Sequence, residues 1–399
     1  MSSGPYNTAA SYGSVTRALH WLTATLVLTE IPLGLFANSL PVSNDAELAR
    51  VSFYFSLHKT LGVTIFFVAL MRIIWALRQP RPAAMHPDRK FETFLATAVH
   101  WSLYLALVLV PLTGWISHAA SSGFAPVWGP LGQNLSFVQK SDYTAQVFGN
   151  LHVLFGKVLA ISLLLHLAGA VKHLLIDRDG TFARMWSGRP SGPDAAMPPN
   201  TTAPAIAALG AYTAAITLGL ALTQFATAPS PPIPSSRLSD KGTSWFVQDG
   251  AIRITVRQLG SDVSGVFSDW TASIEFNPVS GTGTVDVTIA IASLSLGQVT
   301  ANALGPEIFD ARSHPTASFV AEIVPEDETF LANGELSLKG ATVPLALPFS
   351  LRLQDGTAHM IGATTVDRRD FDIGDNYADE NNVGFTVVIS VELTAIRGG

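Results

Sequence analysis

GNLHVLFGKVLAISLLLHLAGAVKHLLIDRDGTFARM, residues 149–185, is the stretch on which the fold turns. Its apolar run is long enough to cross the hydrocarbon core of a bilayer, which takes roughly 20 helical residues. Yet His152 and His166 lie inside that run, and His173 stands at its end. Ionisable side chains are costly in a membrane, so each calls for a function and a partner. His152 and His166 are fourteen residues apart, close to four helical turns or about 21 Å of rise. Both imidazoles therefore leave one helix face at different depths. That is a geometry for two stacked cofactors.

Reading outward, apolar segments near 15–38, 52–77, 92–118 and 204–226 join the one at 147–176 to give five candidate spans. Lys and Arg collect on cytoplasmic loops. Here Arg17 precedes the first span, Arg72, Arg78, Arg81, Arg89 and Lys90 surround the second connection, and Lys172, Arg178, Arg184 and Arg189 follow the fourth. The intervening loops are nearly neutral. This pattern predicts a cytoplasmic N-terminus and a C-terminal half outside the cytoplasmic membrane, which is the periplasm in a Gram-negative cell. The first fourteen residues are polar and lack a charged leader with a cleavage site, so the first span is expected to stay in the bilayer.

The 399 residues include no cysteine, which excludes disulfides, thiolate haem ligation, iron–sulfur clusters and cysteine nucleophiles. Any metal must rely on histidine, carboxylate or methionine. The net charge of −6, with no basic block, argues against nucleic acid as a partner.

The expected topology pairs the histidines. The second and fourth spans both run inward, so His58 and His152 meet near the outer face; the first runs outward and brings His20 level with His166. Two bis-histidine sites suit two haem b groups, whose low-spin iron passes electrons without binding a substrate directly. His100 and His118 also return to one face, but their spacing of about 27 Å does not match the fourth span, and Pro111 between them should disturb the phase. His118 reads as interfacial and His100 as structural, with ligation its alternative.

The same arithmetic places Arg72 at the level of the inner iron, where it could pair with haem propionates or snorkel to the surface. Glu30 and Lys157 fall at nearly one depth, and an ion pair between them is expected ahead of a proton path. His173 lies almost on the face of His166 at the inner interface, where it could meet a quinone head group or lipid phosphate. Lys59, beside His58, is the best candidate for attracting an anionic substrate.

TAPSPPIPSS, residues 227–236, reads as a semi-rigid linker. Beyond it the pattern alternates, as in IRITV (252–256), GTVDVTIAIASL (283–294), ASFVAEIV (317–324) and FTVVISVEL (385–393). Eight or so short strands fit an antiparallel barrel or sandwich. The expected organisation is a transmembrane region over 1–190, a fifth transmembrane helix and linker over 191–236, and an all-β domain over 237–399.

Three segments, SVTRALHWLTATLVLTEIPLGLF (14–36), LHKTLGVTIFFVALMRIIWAL (57–77) and the opening stretch, resemble the bacterial cytochrome b561 family over residues 12–186. The resemblance implies an all-α four-helix di-haem bundle with His20, His58, His152 and His166 as ligands, and it places His173 at the position associated with quinone contact. Some members of that family oxidise superoxide at the outer face and pass the electron through the haems to ubiquinone.

The second half resembles the YceI-like domain, a lipocalin-like antiparallel barrel that holds a long isoprenoid chain. The resemblance rests on VRQLGSDVSGVFSDWTASIEF (256–276), IFDARSHPTASFVAEI (308–323), NGELSLKGATVPLALPFSL (333–351) and GATTVDRRDFDIGD (362–375). The last pattern usually has glycine where this chain has Asp372. Phe267, Trp270, Phe309 and Phe319 are candidate lining residues or ordinary core. Three functions follow as expectations: an oxidoreductase that carries electrons from superoxide to the quinone pool, a quinol-linked carrier to a periplasmic acceptor, or a membrane-anchored isoprenoid-binding protein.

Overall fold

A computed structural model describes residues 4–121, 123–130, 132, 134–191, 201–226 and 245–398. The linker expected at 227–236 lies outside the described residues. The chain divides into two compact units, one helical and one β.

The helical unit is built on α1 (Ser14–Ser39), α2 (Asp45–Leu77), α3 (Lys90–Ala120), α4 (Asp142–Lys172), the short α5 (Thr181–Trp186) and α6 (Thr202–Ala226). Among the described residues, five helices are long and apolar enough to cross a membrane. The α2 helix starts several residues before its apolar segment. Asn44 Oδ1 accepts from the Glu47 amide at 3.0 Å, and Glu47 Oε2 accepts from the Ser43 amide at 2.9 Å, so two early amides are capped. The α3 helix runs unbroken through Pro111.

The last long helix, α6, packs on α3 and α4 through Ala208, Tyr212 and Ala215, all buried. Small residues let helix backbones approach closely where lipid supplies no hydrophobic drive. A Cβ on Gly219 would stand 2.8 Å from Leu151. The Tyr212 hydroxyl donates to the Ser102 carbonyl at 3.0 Å, and the Ser102 hydroxyl meets that of Ser162 at 2.8 Å. These bonds remove polar groups from a setting in which an unpaired one is expensive.

The β unit comprises β1 (Trp245–Gln258), β2 (Ser261–Phe267), β3 (Trp270–Asn277), β4 (Thr282–Ala290), β5 (Leu294–Ser295), β6 (Thr316–Glu326), β7 (Thr329–Leu338), β8 (Ala341–Gln354), β9 (Thr357–Asp367) and β10 (Val383–Arg397). The antiparallel order β10-β9-β8-β7-β6-β4-β3-β1 closes through β10 pairing with β1. The result is a closed eight-stranded barrel, with β2 and β5 added beyond β1. Closure leaves few unpaired strand edges. Along β6, Ala317, Phe319, Ala321 and Ile323 point inward while Val320 faces out, the period of two that alternation predicts.

The barrel encloses a cavity of about 240 Å³. Phe267, Trp270, Phe309 and Phe319 all line it, together with Trp245 and Phe371. Arg368 reaches the lining but is 4% exposed; its guanidinium donates to the carbonyls of Gly384, Ile373, Gly374, Tyr377 and Val383. Asp372 adopts φ 52 and ψ 37, the left-handed conformation that glycine takes freely and that aspartate tolerates better than most residues. Its departure from the usual glycine therefore leaves the turn intact.

Candidate redox site

Four histidines from three helices form two clusters. The rings of His58 (α2) and His152 (α4) have centroids 6.2 Å apart, and those of His20 (α1) and His166 (α4) 6.1 Å. A metal bound at about 2.0 Å by two imidazole nitrogens on opposite sides holds the ring centroids roughly 6 Å apart. Both separations fit iron ligation, and α4 contributes one member to each pair.

The His58–His152 pair is oriented by its neighbours. His152 Nδ1–H donates to the Val110 carbonyl at 2.8 Å, which leaves Nε2 for a metal. His58 Nδ1 lies 3.0 Å from Glu30 Oε1. Room for these rings comes from two glycines, each shortly after a helical proline. A Cβ on Gly34, after Pro32, would stand 2.7 Å from His58 Cε1, and one on Gly114, after Pro111, 2.9 Å from His152 Nδ1. Neither glycine was singled out in the sequence; the paired PLG and PLTG runs, 32–34 and 111–114, are the signal that was present.

Glu30 is 9% exposed and faces His58. Among the described residues Lys157 forms no ion pair, and it lies on the exposed face of α4. The expected Glu30–Lys157 pair is therefore replaced by Glu30–His58. Depth fixes height along a helix, but the azimuth of each side chain decides which neighbour it meets. Lys59 is 6% exposed, so its side chain is packed inside the protein and not displayed on the surface.

At the His20–His166 pair, Arg72 Nη2 is 3.2 Å from His20 Nδ1, and its guanidinium carbon lies 5.4 Å from the centre of the Tyr104 ring. Arg72 thus stands at the depth expected for it. His100 also belongs here, with its ring 5.2 Å from that of His166.

Beyond Lys172, α4 continues as a single π-helical turn, His173–Asp177. His173 Nδ1 lies 2.6 Å from Asp179 Oδ2 and 3.3 Å from Asp177 Oδ2, and His86 Nε2 reaches the same Asp179 oxygen at 2.9 Å. Burial works to raise the Asp179 carboxyl, but bonds from Thr181 and His173 outweigh it and hold it at about 2. His86, Asp177 and Asp179 escaped the sequence reading because His86 sits in a connection far from the other two in the chain.

Residues 11–188 match the family model described as prokaryotic cytochrome b561, and residues 245–395 match that of the YceI-like domain. The chain is 27% identical over 179 residues to cytochrome b561 homolog 2 of Escherichia coli (strain K12), covering 45% of this chain and 93% of that one. It is 23% identical over 175 residues to a Yersinia pestis protein named probable superoxide oxidase CybB, covering 44% and 94%. Among solved structures it is similar to Burkholderia cenocepacia BcnA, at 25% identity and a TM-score of 0.35, over 36% of this chain and 95% of that one. It is also similar to a Campylobacter jejuni YCEI protein, at 22% identity and a TM-score of 0.31, over 34% and 85%. The five apolar helices, the histidine pairs and the closed barrel agree with the two family matches: residues 11–188 are a prokaryotic cytochrome b561 domain, a membrane electron carrier of a haem b family, and residues 245–395 are a YceI-like domain.

Proposed function

We propose that this chain is a di-haem b-type cytochrome of the bacterial inner membrane that moves electrons from an extracytoplasmic donor, most concretely superoxide, to the quinone pool. Its barrel is placed in the periplasm, where it holds an isoprenoid or quinone tail. The observation that carries the reading is the pair of histidine couples, at 6.1 and 6.2 Å, that share α4. Haem b held by two imidazoles supplies one-electron exchange at an iron with no open coordination position.

The roles of the residues follow from their surroundings. His58 and His152 present Nε2 because Glu30 and the Val110 carbonyl engage Nδ1. At His20 the contact differs, since an arginine only donates and Arg72 therefore meets Nδ1 as an acceptor. Ligation through Nε2 requires a proton on Nδ1, so Arg72 must release His20 when the inner site is filled. Its guanidinium is then available to a haem propionate. Lys59, buried and next to His58 in the chain, is the amine that would meet an anionic donor at this pair. His173 keeps Nε2 for a quinone oxygen while Asp179 holds Nδ1. The name of the Yersinia pestis relative supports superoxide as donor, and the basic residues flanking the spans support a periplasmic barrel.

Stopped-flow mixing of the purified, oxidised protein with superoxide should produce the reduced haem spectrum, and added ubiquinone should reverse it. Reduction by ubiquinol with no response to superoxide would move the protein to the reverse reading, a quinol-linked carrier to a periplasmic acceptor.

A further inference from the structure

We propose that His86, His173 and Asp179 form a binding site for one divalent transition-metal ion of the zinc class, with Asp177 at its edge. The ligand-capable atoms of these four residues all lie within 4.8 Å of one another. The two imidazole rings are parallel to within 3°, with centroids 6.2 Å apart. Both aim a nitrogen at one oxygen of Asp179, at 2.6 and 2.9 Å.

The backbone is arranged to bring these groups together. The π-turn over His173–Asp177 is followed by Arg178 at φ 50 and Gly180 at φ 83. This reversal turns both Asp177 and Asp179 toward His173. Single π-turns and left-handed residues other than glycine carry a conformational cost and occur often at functional sites. Asp179 Oδ1 is fixed by the Thr181 amide at 2.9 Å, which leaves Oδ2 for the histidines.

Charge separates the two carboxylates. Their side chains are 8% and 7% exposed for Asp177 and Asp179 respectively. Asp177 is neutralised by Lys172 at 2.7 Å and Arg89 at 3.1 Å. Asp179 instead faces two imidazoles, so a buried carboxylate meets nitrogen ligands where a cation would complete it. Imidazole nitrogen with one carboxylate suits zinc and its neighbours and disfavours calcium and magnesium, which select oxygen. A tetrahedral ion with bonds of about 2.0–2.1 Å keeps its ligand atoms roughly 3.3 Å apart. The imidazole–carboxylate spacings are 2.6–3.3 Å and all four ligand atoms lie within 4.8 Å of one another, so side-chain rotations would bring them to that geometry. Binding would displace the protons now shared with Asp179, and it would fasten the α2–α3 connection to the end of α4. The site shares His173 and Asp179 with the quinone contact proposed above, and the two are told apart because its readout is zinc binding and not turnover.

The test is equilibrium dialysis of detergent-solubilised, haem-loaded protein against Zn²⁺ at micromolar concentration after chelator treatment, with bound zinc measured by elemental analysis. One zinc per chain is expected. His86→Ala and Asp179→Asn should each weaken binding by about 10-fold or more, and the haem spectrum reports that each variant is folded. Should Asp179→Asn lose its haem, His86→Gln serves as the second variant. Zinc retained equally by wild type and by the folded His86 variants, or no zinc retained by wild type, would overturn the proposal.

Discussion

At the scale of single residues, Glu30 is the group whose contact the sequence could not give. Its depth was readable from the helical rise, but its partner was not, because the choice between Lys157 and His58 depends on how α1 and α2 are rotated. The structure sets its carboxylate 3.0 Å from His58 Nδ1. If His58 holds iron as proposed, a carboxylate this close to its Nδ1 would raise the basicity of the ligand and favour ferric iron. Glu30→Gln should therefore raise the midpoint potential of the outer haem by roughly 60 mV, the equivalent of about 1.4 kcal/mol for one electron. The inner haem should be unaffected. A redox titration followed optically reads both, and an unchanged outer potential would remove Glu30 from any role in tuning that ligand.

At the scale of elements, hydropathy made the five helices legible, and alternation made the barrel strands legible, because both periods follow from backbone geometry. The four paired histidines were equally visible, since depth is proportional to residue number in a helix. What remained hidden was the meaning of residues defined by a neighbour: Gly34 and Gly114 matter because of a ring on another helix, and His86 because of a turn at the end of α4. Pro111 was expected to disturb α3, whereas the helix continues and the Val110 carbonyl beside it orients His152. Gly114→Ala puts a Cβ about where His152 Nδ1 now has only 2.9 Å of clearance. The variant should hold one haem per chain by a pyridine haemochrome assay where wild type holds two. Full haem content would mean that the ring can shift and that the glycine is not required.

For the whole molecule, the question is what the barrel adds to the cytochrome domain. Its cavity of about 240 Å³ is lined almost wholly by apolar side chains, so an isoprenoid-tailed quinone would be held by its tail. If the barrel delivers quinone, removing residues 237–399 should slow quinol-driven haem reduction severalfold and leave superoxide-driven reduction unchanged. Equal rates for both substrates, with no isoprenoid extracted from the full chain, would leave the barrel as a passenger. The shared helix has a further consequence. Because His152 and His166 are carried by one uninterrupted α4, the helix acts as a ruler: if each holds an iron, as proposed, neighbouring helices can tilt or slide with little change in the distance an electron would cross between the two levels. Control over the flow of electrons would then belong to the two ends, where partners arrive and leave, and the interior would behave as a fixed conductor.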